Sequence, residues 1–165
     1  AWLIEQNHGL KLPRALQQDF SQHVQQETDR HGKEMTQNAL WQLFRTRYGL
    51  VETPQFALQS YRSDSQQDGQ LRLTASVATQ GGTRQLEGHG NGLLSAAAHG
   101  LSRWINAPFV IKDYHEHTLG ERSDSRSVAY IRCLFQDGTS RWGVGIDSDV
   151  ARASLQALFN AVSRS

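Results

Sequence analysis

Leu12, Leu16, Phe20 and Val24 recur at every fourth position, with Gln, Asp and Arg between them. That spacing predicts an amphipathic helix, opened by Pro13 at a position suited to a first helical residue and ending near Gly32. Thr36 is placed to cap a second helix carrying Leu40, Trp41, Phe44 and Tyr48, closed by Gly49. Before them, the apolar run Ala1 to Ile4 reads as a short strand and Asn7-His8-Gly9 as a turn. Residues 1–50 therefore read as a helical linker subdomain, too short for a core of its own.

From about Pro54 the period changes to two. Phe56 to Arg62 is a weak strand. Leu71, Leu73, Ala75 and Val77 alternate with Arg72, Thr74 and Ser76 after an Asp68-Gly69 turn, and Gly81-Gly82 turns the chain into Thr83 to Glu87. Gly88-His89-Gly90-Asn91-Gly92 then leads into an apolar helical segment, Leu93 to Ile105. The second half repeats the order. Phe109 to His117 alternates loosely, Ala129, Ile131, Cys133 and Phe135 form an apolar face, Asp137-Gly138 turns, and Ser140 to Ile146 returns. Asp147, Ser148 or Asp149 can then cap a helix bearing Val150, Leu155, Leu158, Phe159 and Val162.

Gly88 and Gly143 lie 55 positions apart (143 − 88), as do Gly90 and Gly145. The pattern predicts an α+β fold of two βββα units, about 54–107 and 108–165, related by a pseudo-twofold axis. Together they form a domain over 51–165, with antiparallel pairing inside each unit and the helices packed on the sheets.

Composition narrows the function classes. Seventeen Lys and Arg against 16 Asp and Glu give a net charge of +1, with no basic stripe for nucleic acid. No apolar run approaches the roughly 18 residues of a membrane span, so neither nucleic acid nor membrane is expected as a partner. The lone Cys133 fits a reducing compartment. With Met35 as the sole methionine and an apolar, uncapped start, the chain reads as a piece of a larger polypeptide.

Candidate chemistry is sparse. His115 and His117 fall on one face of a strand with Glu116 on the other, so they form either a metal pair needing a third ligand or two hydrogen-bonded histidines. Cys133 sits on an apolar strand face, as an inert core thiol does. There is no nucleophile elbow and no P-loop, and Leu93 stands where the dinucleotide fingerprint needs glycine. The Gly88–Gly92 run is either a tight turn or a close-approach loop whose free N–H groups attract an anion such as a carboxylate. These residues favour binding or regulation over catalysis.

The segments His8-Gly9-Leu10-Lys11-Leu12-Pro13-Arg14 with Phe20-Ser21, Gly88 to Gly92, Asp113-Tyr114-His115-Glu116-His117, and Trp142-Gly143-Val144-Gly145-Ile146-Asp147 resemble, in order, the C-terminal part of the 2-isopropylmalate synthase family. The resemblance implies an upstream (β/α)8 barrel, using a divalent metal (Mg or Mn), that condenses acetyl-CoA with 2-oxoisovalerate in leucine biosynthesis. The present residues would be non-catalytic and cofactor-free. They would form a cytoplasmic homodimer's regulatory domain, binding L-leucine for feedback inhibition. Carried over by position, the leucine site comprises Gly90, Asn91, Gly92 and Leu94, then Ile111 and Tyr114 on the next strand. Thr118 and Ser125 would lie on a loop closing over the ligand, and Ile146 follows the second glycine pair. Leu93 stands where proline is common in the family, and Thr118 and Ser125 where smaller apolar residues are expected. The isoleucine-sensing domain of citramalate synthase and a free-standing amino-acid-binding dimerisation module are the alternatives.

Overall fold

The computed structural model describes residues 2–52, 54–120 and 125–163. Three helices come first: α1 (Trp2–His8), α2 (Arg14–His31) and α3 (Gln37–Tyr48). Two antiparallel meanders follow, each with a helix after it: β1 (Phe56–Ser65), β2 (Leu71–Thr79), β3 (Gly82–Gly90) and α4 (Leu93–Ile105), then β4 (Phe109–Leu119), β5 (Arg126–Phe135), β6 (Ser140–Asp147) and α5 (Val150–Val162). The expected pair of βββα units is thus present in an α+β fold.

Two local expectations are corrected. The opening apolar run is helical, because a short apolar run carries no periodicity that separates strand from helix. Ile4 goes into a core, and Gly9, at φ 71°, ends the helix with its N–H on Glu5 O at 2.9 Å. The repeat also does not run at the single spacing that the glycines indicated. A Cβ on Gly88 would run into Ala96 O and Gly100 N, whereas the residue meeting the matching atoms of α5, Ala153 O and Ala157 N, is Gly145. The helices and third strands therefore correspond at 57 positions (145 − 88), and Gly143 matches Leu86. Along the first strands the offset is 53: Phe56, Leu58 and Tyr61 pair across to Thr79, Val77 and Ala75, as Phe109, Ile111 and Tyr114 pair to Phe135, Cys133 and Ile131. Both strands break register at the same place, between Leu58 and Ser60 and between Ile111 and Asp113.

One core joins the two units. Leu73, Ala75, Val77 and Leu86 from the first sheet and Ala129, Ile131 and Cys133 from the second pack with Ala96, Ala97, Leu101, Leu155, Leu158 and Phe159. The second sheet has a further apolar face. Val128, Tyr130, Trp142 and Val144 are buried against Ile4, Leu10, Leu12, Leu16, Phe20, Phe44 and Tyr48, so the three N-terminal helices cover it. Phe20 and Phe44 meet edge-on with centroids 5.3 Å apart, and Tyr48 donates to Asp19 Oδ2 at 2.6 Å. Four successive residues of β5, Val128 to Ile131, are fully buried, the pattern of a strand covered on both sides rather than the one apolar face read from alternation.

Glycine at the helix–sheet contacts is a steric requirement. Gly88→Ala or Gly145→Ala pushes a methyl into helix backbone and should cost about 1–3 kcal/mol, a fall of roughly 2–4 °C in Tm per kcal/mol. At Gly92 a Cβ meets nothing within 4 Å and φ is −164°, so Gly92→Ala should stay within about 1 kcal/mol of the parent. Thermal denaturation of the three variants checks the contrast.

Candidate functional site

The start of α4 is built by the β3–α4 junction. Gly88 and Gly90 belong to β3 and let α4 lie against the strand, since a Cβ on either would run into the backbone of the helix. Asn91 and Gly92 make the loop proper. Ser95 Oγ donates to Asn91 Oδ1 at 2.8 Å and accepts from Gly92 N–H at 3.1 Å, fixing the loop to the first turn. Gly92 is the N-cap and has no side chain to give. Among the described residues no side-chain acceptor reaches the N–H groups of Leu93, Leu94 or Ser95. By contrast, Thr36 accepts from Ala39 N at the head of α3 and Asp149 from Ala151 N at the head of α5. A helix head whose first N–H groups have no side-chain acceptor, at the positive end of the helix dipole, is suited to an anion.

The neighbouring wall is β4. Its register break after Ile111 changes the alternation, so Ile111 and Tyr114, three positions apart, face the same side of the sheet with Glu116 and Thr118. Leu94 from α4 and Ile111 from β4 both pack against the shared core. Tyr114 is 39% exposed. Its hydroxyl donates to Glu116 Oε2 at 2.5 Å and lies 2.8 Å from Ser154 Oγ on α5. Burial first, and then the hydrogen bond to the Glu116 carboxylate, raise the Tyr114 pKa above the usual phenol range.

The other expected site residues are placed less uniformly. Thr118 is in β4 itself, exposed, rather than on a loop. Ser125 immediately precedes β5; the rest of the expected closing loop, 121–124, lies outside the described residues. Ile146 pairs with Val128 and packs with the N-terminal helices, on the opposite face of the second sheet from Ile111 and Tyr114. It lines a cleft of about 490 Å³ with Trp41, Gly49, Leu58 and Asn160. This cleft and three others of about 480 to 650 Å³ are lined by none of Gly90, Asn91, Gly92, Leu94, Ile111 and Tyr114. Sequence reading missed Ser95 and Ser154, which position Asn91 and Tyr114. The apolar spacing 109, 111, 114 was the available sign of the bulge.

His115 and His117 share a face as expected, the face turned to the N-terminal helices. His117 Nε2 accepts from Lys11 N–H at 3.1 Å and lies 2.7 Å from Tyr130 Oη, so this histidine anchors the linker. Among the described residues no three His, Cys, Asp or Glu side chains are grouped to hold a metal, and no helix is long and apolar enough to cross a membrane.

Comparison with known proteins fits this geometry. The family described as LeuA allosteric (dimerisation) domain matches residues 34–165. The chain belongs to this family. Curated relatives of this LeuA-domain chain carry the name 2-isopropylmalate synthase. They include the proteins of Marinomonas sp. (strain MWYL1), 45% identical over 163 residues, of Pseudomonas syringae pv. tomato, 39% over 165, and of Rhodospirillum rubrum, 37% over 164. These alignments cover 98%, 100% and 99% of the chain, but 29% of each relative.

The LeuA-domain core also holds the lone thiol. Cys133 is fully buried, and burial pushes its pKa up to about 12. Thiolate is the reactive form, so the folded chain should resist iodoacetamide at pH 8 and react only once unfolded. Alkylation followed by mass spectrometry in the presence and absence of guanidinium checks it.

Proposed function

We propose that this chain is the leucine-sensing regulatory domain of a 2-isopropylmalate synthase, binding L-leucine at the corner between the head of α4 and β4. The N-terminus of α4, with the apolar residues Leu94 and Ile111, carries the reading: an anion place and an apolar place adjoin, as a small apolar amino acid requires. In this reading the N–H groups of Leu93, Leu94 and Ser95 hold the carboxylate, while Leu94 and Ile111 receive the isobutyl group. Asn91 and Tyr114 border the ligand on the open side. A second copy of the domain closes that side, in keeping with a family described as allosteric and dimerising. The condensation of acetyl-CoA with 2-oxoisovalerate, and the Mg or Mn it uses, then belong to a barrel outside this chain, in a cytoplasmic enzyme. Leucine inhibits by binding the less active arrangement more tightly, since a ligand shifts only equilibria whose states it distinguishes.

Burial of the side chain contributes roughly 1.5–3 kcal/mol and one methylene about 0.8 kcal/mol, so valine should bind about fourfold more weakly than leucine. Calorimetric titration with leucine, isoleucine and valine, alongside the mass in solution, is the direct test. Saturable binding that prefers leucine, on a dimer, is expected. A well-folded dimer that binds none of the three sinks the reading, and preference for isoleucine moves it to the citramalate branch. Gly92→Val, which fills the space over the helix head, and Tyr114→Ala should each weaken leucine binding at least about tenfold with Tm little changed.

A further inference from the structure

The two units present the same corner twice, once between α4 and β4 and once between α5 and β1. Both helices have 13 residues, and at the 57-position offset the N-cap Gly92 matches Asp149, Ser95 matches Arg152, and Gly90 matches Asp147. At the 53-position offset the β1 bulge, with the carbonyls of Leu58 and Gln59, matches the β4 bulge, with those of Ile111 and Lys112. Tyr61 matches Tyr114.

At the α5–β1 corner the chain fills both polar places itself. The Asp149 carboxylate accepts from Ala151 N–H at 3.0 Å, occupying the helix head. The Arg152 guanidinium donates to Leu58 O at 3.1 Å and Gln59 O at 2.8 Å, occupying the bulge carbonyls, and is held by Asp147 at 3.6 Å. Tyr61 lies close enough for both Asp149 and Arg152 to influence its hydroxyl. At the α4–β4 corner no side chain among the described residues fills either place. Gly92 offers no carboxylate and Ser95 turns back to Asn91. No side chain among the described residues donates to the carbonyl of Ile111 or of Lys112.

We infer that the α5–β1 corner is a self-occupied copy of the ligand site, in which Asp149 and Arg152 stand where the carboxylate and ammonium of an α-amino acid lie at the α4–β4 corner. The inference rests on the leucine reading above and adds to it an ammonium place, the bulge carbonyls of Ile111 and Lys112. It also sets the count at one ligand per chain and the ligand class. Carbonyl oxygens are acceptors with nothing to donate, so a ligand lacking the ammonium leaves them unsatisfied and puts its own polar group against them. The site therefore takes the amino acid and rejects the corresponding 2-oxo acid, although the two share carboxylate and side chain.

Titration of the full chain with leucine, 4-methyl-2-oxopentanoate and 4-methylpentanoate tests the ammonium place. Leucine is expected at one per chain, with both acids at least about tenfold weaker. Equal binding of either acid overturns the inference and leaves the leucine reading standing, while failure of leucine itself overturns both. The triple variant Asp147→Gly, Asp149→Gly, Arg152→Ser gives the second corner the residues of the first. If circular dichroism shows it folded, it should bind two leucines per chain, and a count that stays at one overturns the self-occupied copy. Should the variant fail to fold, the comparison of acids still decides the ammonium place.

Discussion

The structure depends on two helices lying directly on strand backbone. At Gly88 and Gly145 there is no room for even a methyl group between strand and helix, and Gly100 makes the reciprocal approach from α4, where a Cβ would meet Glu87 O at 2.8 Å. Contact this close fixes where each helix begins relative to its sheet. The head of α4 therefore projects past the end of β3 at a height set by backbone rather than by adjustable side chains. Polar groups at such a head are pre-positioned, and little has to be ordered when a ligand arrives.

The second sheet carries a further constraint. Its faces are both buried, by α5 on one side and the N-terminal helices on the other. Leu10 and Leu12 insert on the helical side, and the Lys11 backbone N–H between them is held by His117 of β4. The candidate-site residues Ile111 and Tyr114 are on the same strand as His117, on its other side. One strand thus serves as a wall of the candidate site and as dock for the helical segment.

Much of this was legible in the sequence because each element announces itself by period and by its ends. Thr36 and Gly49 bracket α3 with a side-chain cap and a left-handed C-cap at φ 87°, and Leu71 to Val77 alternate as a half-buried strand does. What was not legible depends on tertiary context. Trp2-Leu3-Ile4 took a helix in place of a strand, and Ile4 is buried in a cluster that joins α2 and α3 to the second sheet, a packing that a four-residue apolar run does not announce. The glycine spacing of 55 looked like the repeat, but only the helix atoms above Gly88 and Gly145 show which glycines correspond. At the site, the run Gly88 to Gly92 was visible as a unit. Its division into packing glycines and an open N-cap was not, because an added Cβ is excluded by a neighbour the sequence does not name.

The unequal corners have a consequence for assembly. Two identical units would give the domain a true internal twofold axis and two equivalent faces on which a second chain could settle, with nothing to choose between them. Asp149 and Arg152 remove that degeneracy. One face is finished, its charges already matched within the chain, and the other is left wanting. In the proposed assembly, a pair of chains that meets across its unfinished faces completes both corners at once, so the same asymmetry would also decide which way round each copy meets its neighbour.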